Sequence, residues 1–272
     1  MEANASVYVE RQMTAASLHD LPMGQAVVFS GSPAYPDETN QDAAALVEID
    51  DRRVVIAVAD GAGGLPSGHK ASALAVGSVR DAVEHLPEDA SLRGAMLDGF
   101  ERANQRVLEM GVGAATTLAA LQIEGRTLRT LHVGDSTVLV VGQRGKVKLQ
   151  TMSHSPVGYQ VEAGVLEPED ALHHEDLNVV SNLVGSQDMR IEIGSALELS
   201  AFDTIVVGSD GLFDNLHLSE IVERVRRGPL AKAAEALRAE CAKRMVTPEE
   251  GLPSKPDDLT FVLYRSKRPP KP

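Results

Sequence analysis

Apolar runs of two different periods alternate along this 272-residue chain, and their order restricts the fold more than any other feature. Short β-branched runs come first: QAVVFS (25–30), AAALVEI (43–49) and RRVVIAVAD (52–60). Gly, Pro, Asp and Asn bound them, which predicts strands and turns. The period then changes. Between Ser67 and Leu86, the residues Ala75, Val79, Ala82, Val83 and Leu86 share one helical face, with Ser67 as the expected N-cap. From Asp89 to Met110, Leu92, Met96, Phe100, Ala103 and Val107 repeat that spacing, and Gly111 supplies a stop. Strands resume at 116–123, 126–133 and 136–141, joined by tight connections at Glu124-Gly125 and Gln143-Arg144-Gly145. A further strand is expected within LELSAFDTIVVGSD (197–210), then helices at 218–227 and 230–246, then a last strand, LTFVLYR (259–265).

Two helix pairs set among strands predict one α+β domain, with helices covering a mainly antiparallel sheet system. Neither an internal repeat nor a linker divides the chain. The domain is expected over 21–265, with residues 1–20 as a weakly specified lead-in and 266–272 (SKRPPKP) as a disordered tail. Residues 151–190 break the pattern with Pro156, Gly158, Gly164, Pro168 and a His-Asp-Glu mixture, leaving room for a short helix at 167–173. A long irregular segment inside a domain reads as a functional loop or lid.

Composition narrows the function. With 26 basic and 39 acidic residues the net charge is −13, so nucleic-acid phosphates and anionic membranes are repelled and neither is an expected partner. Solvated surface acids are the plain reading of that charge, and cation binding is the other. Cys241 is the single cysteine; it excludes an internal disulfide and reads as a packing residue. No apolar run reaches the roughly 18 residues of a membrane span. The N-terminus also lacks a basic-then-apolar leader, so a cytoplasmic location is expected.

Acids stand where the apolar strands stop. Asp60 follows VVIAVA, Asp135 follows LHVG, Asp210 follows TIVVGS, Asp257 precedes LTFVLY, and Asp42 precedes AAALVEI. Any one of them is explained by turn chemistry, since Asp-Gly is a common turn pair. Several together are not, because ordinary turns do not need an acid at nearly every strand end. Converging carboxylates repel one another unless protons or cations neutralise them. Without cysteine ligands or histidines at metal-like spacing, all-oxygen ligation favours Mg²⁺ or Mn²⁺ over structural Zn²⁺. Two such ions about 3.5–4 Å apart can clamp a phosphate and bring the pKa of water from about 15.7 towards 7.

At this point the residues resemble a family, the metal-dependent protein phosphatases (PPM, or protein phosphatase 2C type) in their compact bacterial form. The motifs are Asn40-Gln41-Asp42-Ala43, Val58-Ala59-Asp60-Gly61-Ala62-Gly63-Gly64, Ala71-Ser72, Ala115-Thr116-Thr117-Leu118, Val133-Gly134-Asp135-Ser136, Gly208-Ser209-Asp210-Gly211-Leu212-Phe213-Asp214 and Asp257-Asp258-Leu259-Thr260. They follow the family's order over about residues 25–265.

The resemblance implies a four-layer α-β-β-α sandwich, two antiparallel sheets each flanked by a helix pair, with 151–190 as the flap beside the site. It implies two Mn²⁺ or Mg²⁺ ions per active site: Asp60 bridges them, the Gly61 carbonyl binds one, and Asp210 with Asp257 completes the other. Asp42 stands in a water-mediated position, and Asp135 with Asp210 is implied to hold a third, weaker ion. A hydroxide between the metals would hydrolyse phosphoserine or phosphothreonine directly. The expected partner is a phosphorylated protein, a serine/threonine kinase or one of its targets, and a monomer is expected.

Three positions depart from the family pattern. Asp37 stands where an arginine usually grips the substrate phosphate, with Lys70, His69 and Arg190 as candidate substitutes. Gln41 replaces a frequent glutamate, and Ala62 replaces the histidine of eukaryotic members. His69, beside Gly68, is a candidate proton donor, and a solvated first-turn residue is its plain reading. The missing arginine motivates a rival, a non-catalytic phosphoprotein-binding module on the same fold; a phosphatase of small-molecule phosphates is a third reading.

Overall fold

The computed structural model describes residues 4–267. The order is β1 (Asn4–Val9), β2 (Ser17–Asp20), β3 (Gly24–Gly31), β4 (Asp42–Glu48), β5 (Arg53–Asp60), α1 (Gly68–Val83), α2 (Leu92–Glu109), β6 (Leu118–Glu124), β7 (Thr127–Val133), β8 (Thr137–Val141) and β9 (Val147–Gln150). Then come α3 (Pro156–Glu162), α4 (Pro168–Ala171), β10 (Glu192–Ile193), β11 (Leu197–Glu198), β12 (Thr204–Gly208), α5 (Asp210–Phe213), α6 (Leu218–Val225), α7 (Leu230–Val246) and β13 (Leu259–Ser266).

One sheet runs β1-β4-β5-β6-β7-β10, with β11 also on β7; the other runs β2-β3-β13-β12-β8-β9. Every strand pairing is antiparallel. The side-chain period of 2 sorts each central strand between two cores. On β5, Val54, Ile56 and Val58 join the core between the sheets, while Val55, Ala57 and Ala59 face α1 and α2. A third core lies between the second sheet and α6–α7, where Leu237 and Cys241 meet Val206 and Phe261. The layers are therefore α-β-β-α, as the resemblance implied. Burial pushes the Cys241 thiol up to about 12, in keeping with a packing role.

Three local expectations change. The weakly specified lead-in carries two strands within residues 4–20: β1 pairs with the distant β4, and β2 pairs with its neighbour β3 as a hairpin. The run 197–210 is two strands, because the chain crosses there from the first sheet (β11) to the second (β12), turning at Phe202 with φ 67°. Ser67 stands at the start of α1 but makes no side-chain cap; its backbone is left-handed, φ 62° and ψ 36°. That conformation costs a non-glycine residue on the order of 1 kcal/mol, and it brings Gly68 onto Gly61. In the expected tail, Ser266 ends β13, and residues 268–272 lie outside the described residues.

Candidate metal centre

The sequence acids meet at the rim shared by the two sheets. Asp42 opens β4 and Asp60 ends β5, and the two are direct register partners. Asp135 lies in the turn from β7 of one sheet to β8 of the other; Asp210 opens α5 after β12, and Asp257 precedes β13. Gly134 makes the first of these crossings possible. Its φ is 100°, and a Cβ there would lie 2.7 Å from the Thr117 side chain, so only glycine fits. Gly61 and Gly68 permit a second close approach: a Cβ on Gly61 would sit 2.4 Å from the Gly68 carbonyl carbon. The start of α1 is thus pressed against the chain just after Asp60.

Neutral groups hold Asp42, the Asp60 backbone and Asp258. Ser209 Oγ donates to Asp42 Oδ2 at 2.7 Å. The Asp60 backbone N–H donates to Thr117 Oγ1 at 3.0 Å, and that hydroxyl meets Ser136 Oγ at 2.7 Å. Asp258, beside Asp257, accepts the Gln41 N–H at 2.6 Å and the Ser32 hydroxyl. Gln41 therefore ties the two sheets through its backbone, a task that needs no charge.

Much is left unsatisfied. Asp42 Oδ1, Asp135 Oδ1 and Asp210 Oδ1 are buried without a hydrogen-bond partner. Burial, then the Asp210 charge, pushes Asp135 and Asp257 up to about 7. Burial holds Asp42 and Asp60 well above the usual carboxylate range, reinforced by Asp258 at Asp42 and by Asp210 at Asp60. Buried carboxylate oxygens left without a donor, with no histidine or cysteine among them, fit hard divalent cations. The residues present fit two such ions.

Sequence reasoning missed two members. Asp214 closes α5 beside Asp210, and burial, then Asp210, holds it well above the carboxylate range. Lys255 extends its ammonium to Asp210, to Asp214 Oδ2 at 3.2 Å and to Asp257 Oδ2 at 3.4 Å. Burial alone would lower the Lys255 pKa, but Asp210, Asp214 and Asp257 outweigh it and raise it. Asp214 was legible as the last residue of its motif. Lys255, in the irregular GLPSKPDD stretch, carried no pattern signal. The cations considered for the missing arginine behave otherwise: Lys70 and Arg190 are exposed, as is Asp37. His69 is half-buried on the first turn of α1, and among the described residues no hydrogen bond or ion pair joins it to the acids.

A groove of about 770 Å³ leads from Asp135, Asp210 and Asp214 along the inner side of the 151–190 segment, past Ser153, Val157 and Glu162. That segment contains α3, started by Ser155 accepting the Gly158 N–H at 2.9 Å. It is fastened at both stems. His154 N–H donates to the Gly134 carbonyl at 3.0 Å, Gly134 N–H donates to His154 Nδ1 at 3.1 Å, and Val184 bridges Thr116.

His132, His154 and Glu192 form a second cluster, with candidate ligand atoms within 4.8 Å of one another. Its hydrogen bonds read as a staple. His154 Nδ1 accepts from Gly134, so its Nε2 carries the proton and donates to Glu192 Oε2 at 3.1 Å; His132 Nε2 likewise faces the Met152 carbonyl at 2.8 Å. Of the four ring nitrogens only His132 Nδ1 keeps an unused lone pair.

The protein phosphatase 2C model matches residues 32–245. The chain belongs to the protein phosphatase 2C family. Within that family it is 32% identical over 195 residues to the protein phosphatase PhpP of Streptococcus pneumoniae, covering 68% of this chain and 78% of that protein. The solved serine/threonine phosphatase of S. agalactiae shares 26% identity and a TM-score of 0.72, covering 96% of this chain and 99% of that one. The catalytic domain of the serine/threonine phosphatase PstP, solved with 2 manganese ions, superposes with a TM-score of 0.65 at 21% identity over 98% of this chain and 99% of that one, a likeness of fold.

Proposed function

We propose that this member of the protein phosphatase 2C family is a Mn²⁺- or Mg²⁺-dependent phosphatase of phosphoserine and phosphothreonine in proteins. One observation carries it: five acids from distant strand ends meet at one rim, three of them with a buried oxygen that no protein donor satisfies. Family membership supports the same reading.

In this reading Asp60, the Gly61 carbonyl, Asp210 and Asp257 hold two divalent ions. When bound, these supply a nucleophile from water at neutral pH and neutralise the charge on the phosphoryl oxygens. Asp42, fixed by Ser209, orients water behind Asp60. Thr117 and Ser136 hold the Asp60 backbone so that its carboxylate stays aimed into the cradle. His69, on the turn fastened to Gly61, gives a proton to the departing serine or threonine oxygen. The groove beside Asp135 receives the peptide, and the phosphoprotein is a kinase or a kinase target inside the cell. The protein acts as a monomer.

Turnover of a phosphothreonine peptide by purified protein with Mn²⁺, with EDTA, and in Asp60→Ala tests the proposal. Mn²⁺-dependent turnover lost in both controls is expected. Turnover that survives EDTA, or a clean wild-type protein that binds Mn²⁺ yet turns over nothing, overturns it.

A further inference from the structure

Seven carboxylates line the cradle: Asp42, Asp60, Asp135, Asp210, Asp214, Asp257 and Asp258. Two divalent ions bring four positive charges, fewer than the acids carry when ionised. A cation already stands among them. The Lys255 side chain is only 18% exposed, and its ammonium touches Asp210, Asp214 and Asp257 together. Three carboxylates are an unusual set of partners for one surface lysine, which more often meets a single acid loosely.

The backbone shows that this lysine is built in. Asn215 is fully buried, and its amide grips residue 255 from both sides: the Lys255 N–H donates to Asn215 Oδ1 at 2.8 Å, and Asn215 Nδ2 donates to the Lys255 carbonyl at 2.9 Å. The same Nδ2 donates to the Gly211 carbonyl at 2.9 Å, one residue after Asp210. Behind Asn215, the buried Arg244 donates to the Asn215 carbonyl at 2.9 Å and is itself held by Glu220 at 2.7 Å. Ser254 Oγ donates to the Arg244 carbonyl at 2.8 Å, fixing the residue before the lysine. A flexible surface cation needs no such scaffold. Asp210, meanwhile, gives Lys255 one oxygen and keeps Oδ1 buried and unpartnered.

We propose that Lys255 is a resident cation that takes the place of a third metal ion at the Asp210–Asp214 end of the cradle, so that the protein holds two divalent ions and no more. The inference rests on the metal-dependent reading above. Asp210 divides its two oxygens between the ammonium and the open space of the cradle. Asp214, whose hydrogen-bond partners among the described residues are Asp210 and Lys255, neutralises the lysine rather than binding metal. A compact ammonium on a four-carbon stem can fill a cation position in this way, whereas a guanidinium is a broad fork.

Equilibrium dialysis against Mn²⁺ up to millimolar, with the bound metal counted by mass spectrometry, tests this on the full chain. Wild type is expected to hold two ions per chain, Lys255→Met three, and Lys255→Arg, which keeps the charge, two. A wild-type count of three overturns the proposal whether or not the variants fold, and so does a folded Lys255→Met that stays at two; both leave the phosphatase reading standing. A wild-type count of zero removes the metal-dependent reading itself, and this inference with it.

Discussion

Ser209 and Asp42 join the two sheets at the centre of the site: the serine hydroxyl, just after β12, donates at 2.7 Å to a carboxylate oxygen at the start of β4. Asp42 is 1% exposed and its other oxygen has no partner, so this is the one hydrogen bond its side chain makes among the described residues. Ser209→Ala should cost about 1–3 kcal/mol, the usual penalty for leaving a buried acceptor without its donor. Urea unfolding of metal-free protein measures it, and a loss below about 0.5 kcal/mol would show that Asp42 is protonated and indifferent to its donor.

Asp60 stands among like charges, so replacing it has opposite effects on activity and stability. Asp60→Asn should lower Mn²⁺-dependent turnover by roughly 10²–10³-fold or more, a range typical of removing one charge-stabilising group. Without metal, the same change removes repulsion with Asp210 and Asp42 and should raise the melting temperature. Each kcal/mol is worth about 2–4 °C in a chain of this size. Calorimetry in EDTA decides it, and a variant that melts lower than wild type refutes the crowded-acid picture.

Stability of metal-free protein should fall as pH rises. Asp135 and Asp257 are pushed up to about 7 by burial and Asp210, so each binds a proton more tightly folded than unfolded. That stabilising contribution is complete below the unfolded value, about 3.9, and is lost as pH rises through about 7. His132 and His19, both lowered chiefly by burial, work in the other direction, two imidazoles against several acids. Urea midpoints in EDTA should therefore be lower at pH 8 than at pH 5.5, and Asp135→Asn should flatten the difference. In Mn²⁺ the trend should reverse, because cation binding displaces protons. A midpoint that rises with pH in EDTA contradicts the expectation.

Asn215 bears on the lysine without touching the acids. Asn215→Ala leaves the Lys255 N–H and carbonyl without partners, at about 1–3 kcal/mol for each group that stays buried. Loss of that order in unfolding experiments is expected, together with faster amide exchange across 253–257; exchange unchanged from wild type would mean that the loop is held by other contacts.

Strands and two helix pairs in one α+β domain were legible in the sequence because period-2 and helical runs are local signals; the four layers were legible only through the family resemblance, and the strand order was not. The site acids were legible for a related reason: β4, β5, β12 and β13 each stop or start at an acid, so the strand boundary marks the residue. What was hidden is non-local. β1 reads as a lead-in until β4, its partner 34 or more residues away in register, is in place. The run 197–210 reads as one strand because no residue-level signal marks a change of sheet. Lys255 reaches the acids through a loop whose shape depends on Arg244 and on Asn215, the latter 40 residues away in the chain. Helix α3 was within reach, since Ser155-Pro156 is a cap followed by the residue type that best opens a helix.

His154 and Val184 fasten the two stems of the 151–190 segment to Gly134 and Thr116, backbone to backbone, and the acids lie on the sheet side of those fastenings. What lies between the stems can be lengthened, shortened or rewritten while the rim of carboxylates keeps its shape. The segment is thereby a self-contained cassette, whose exchange should leave the arrangement of the carboxylates intact.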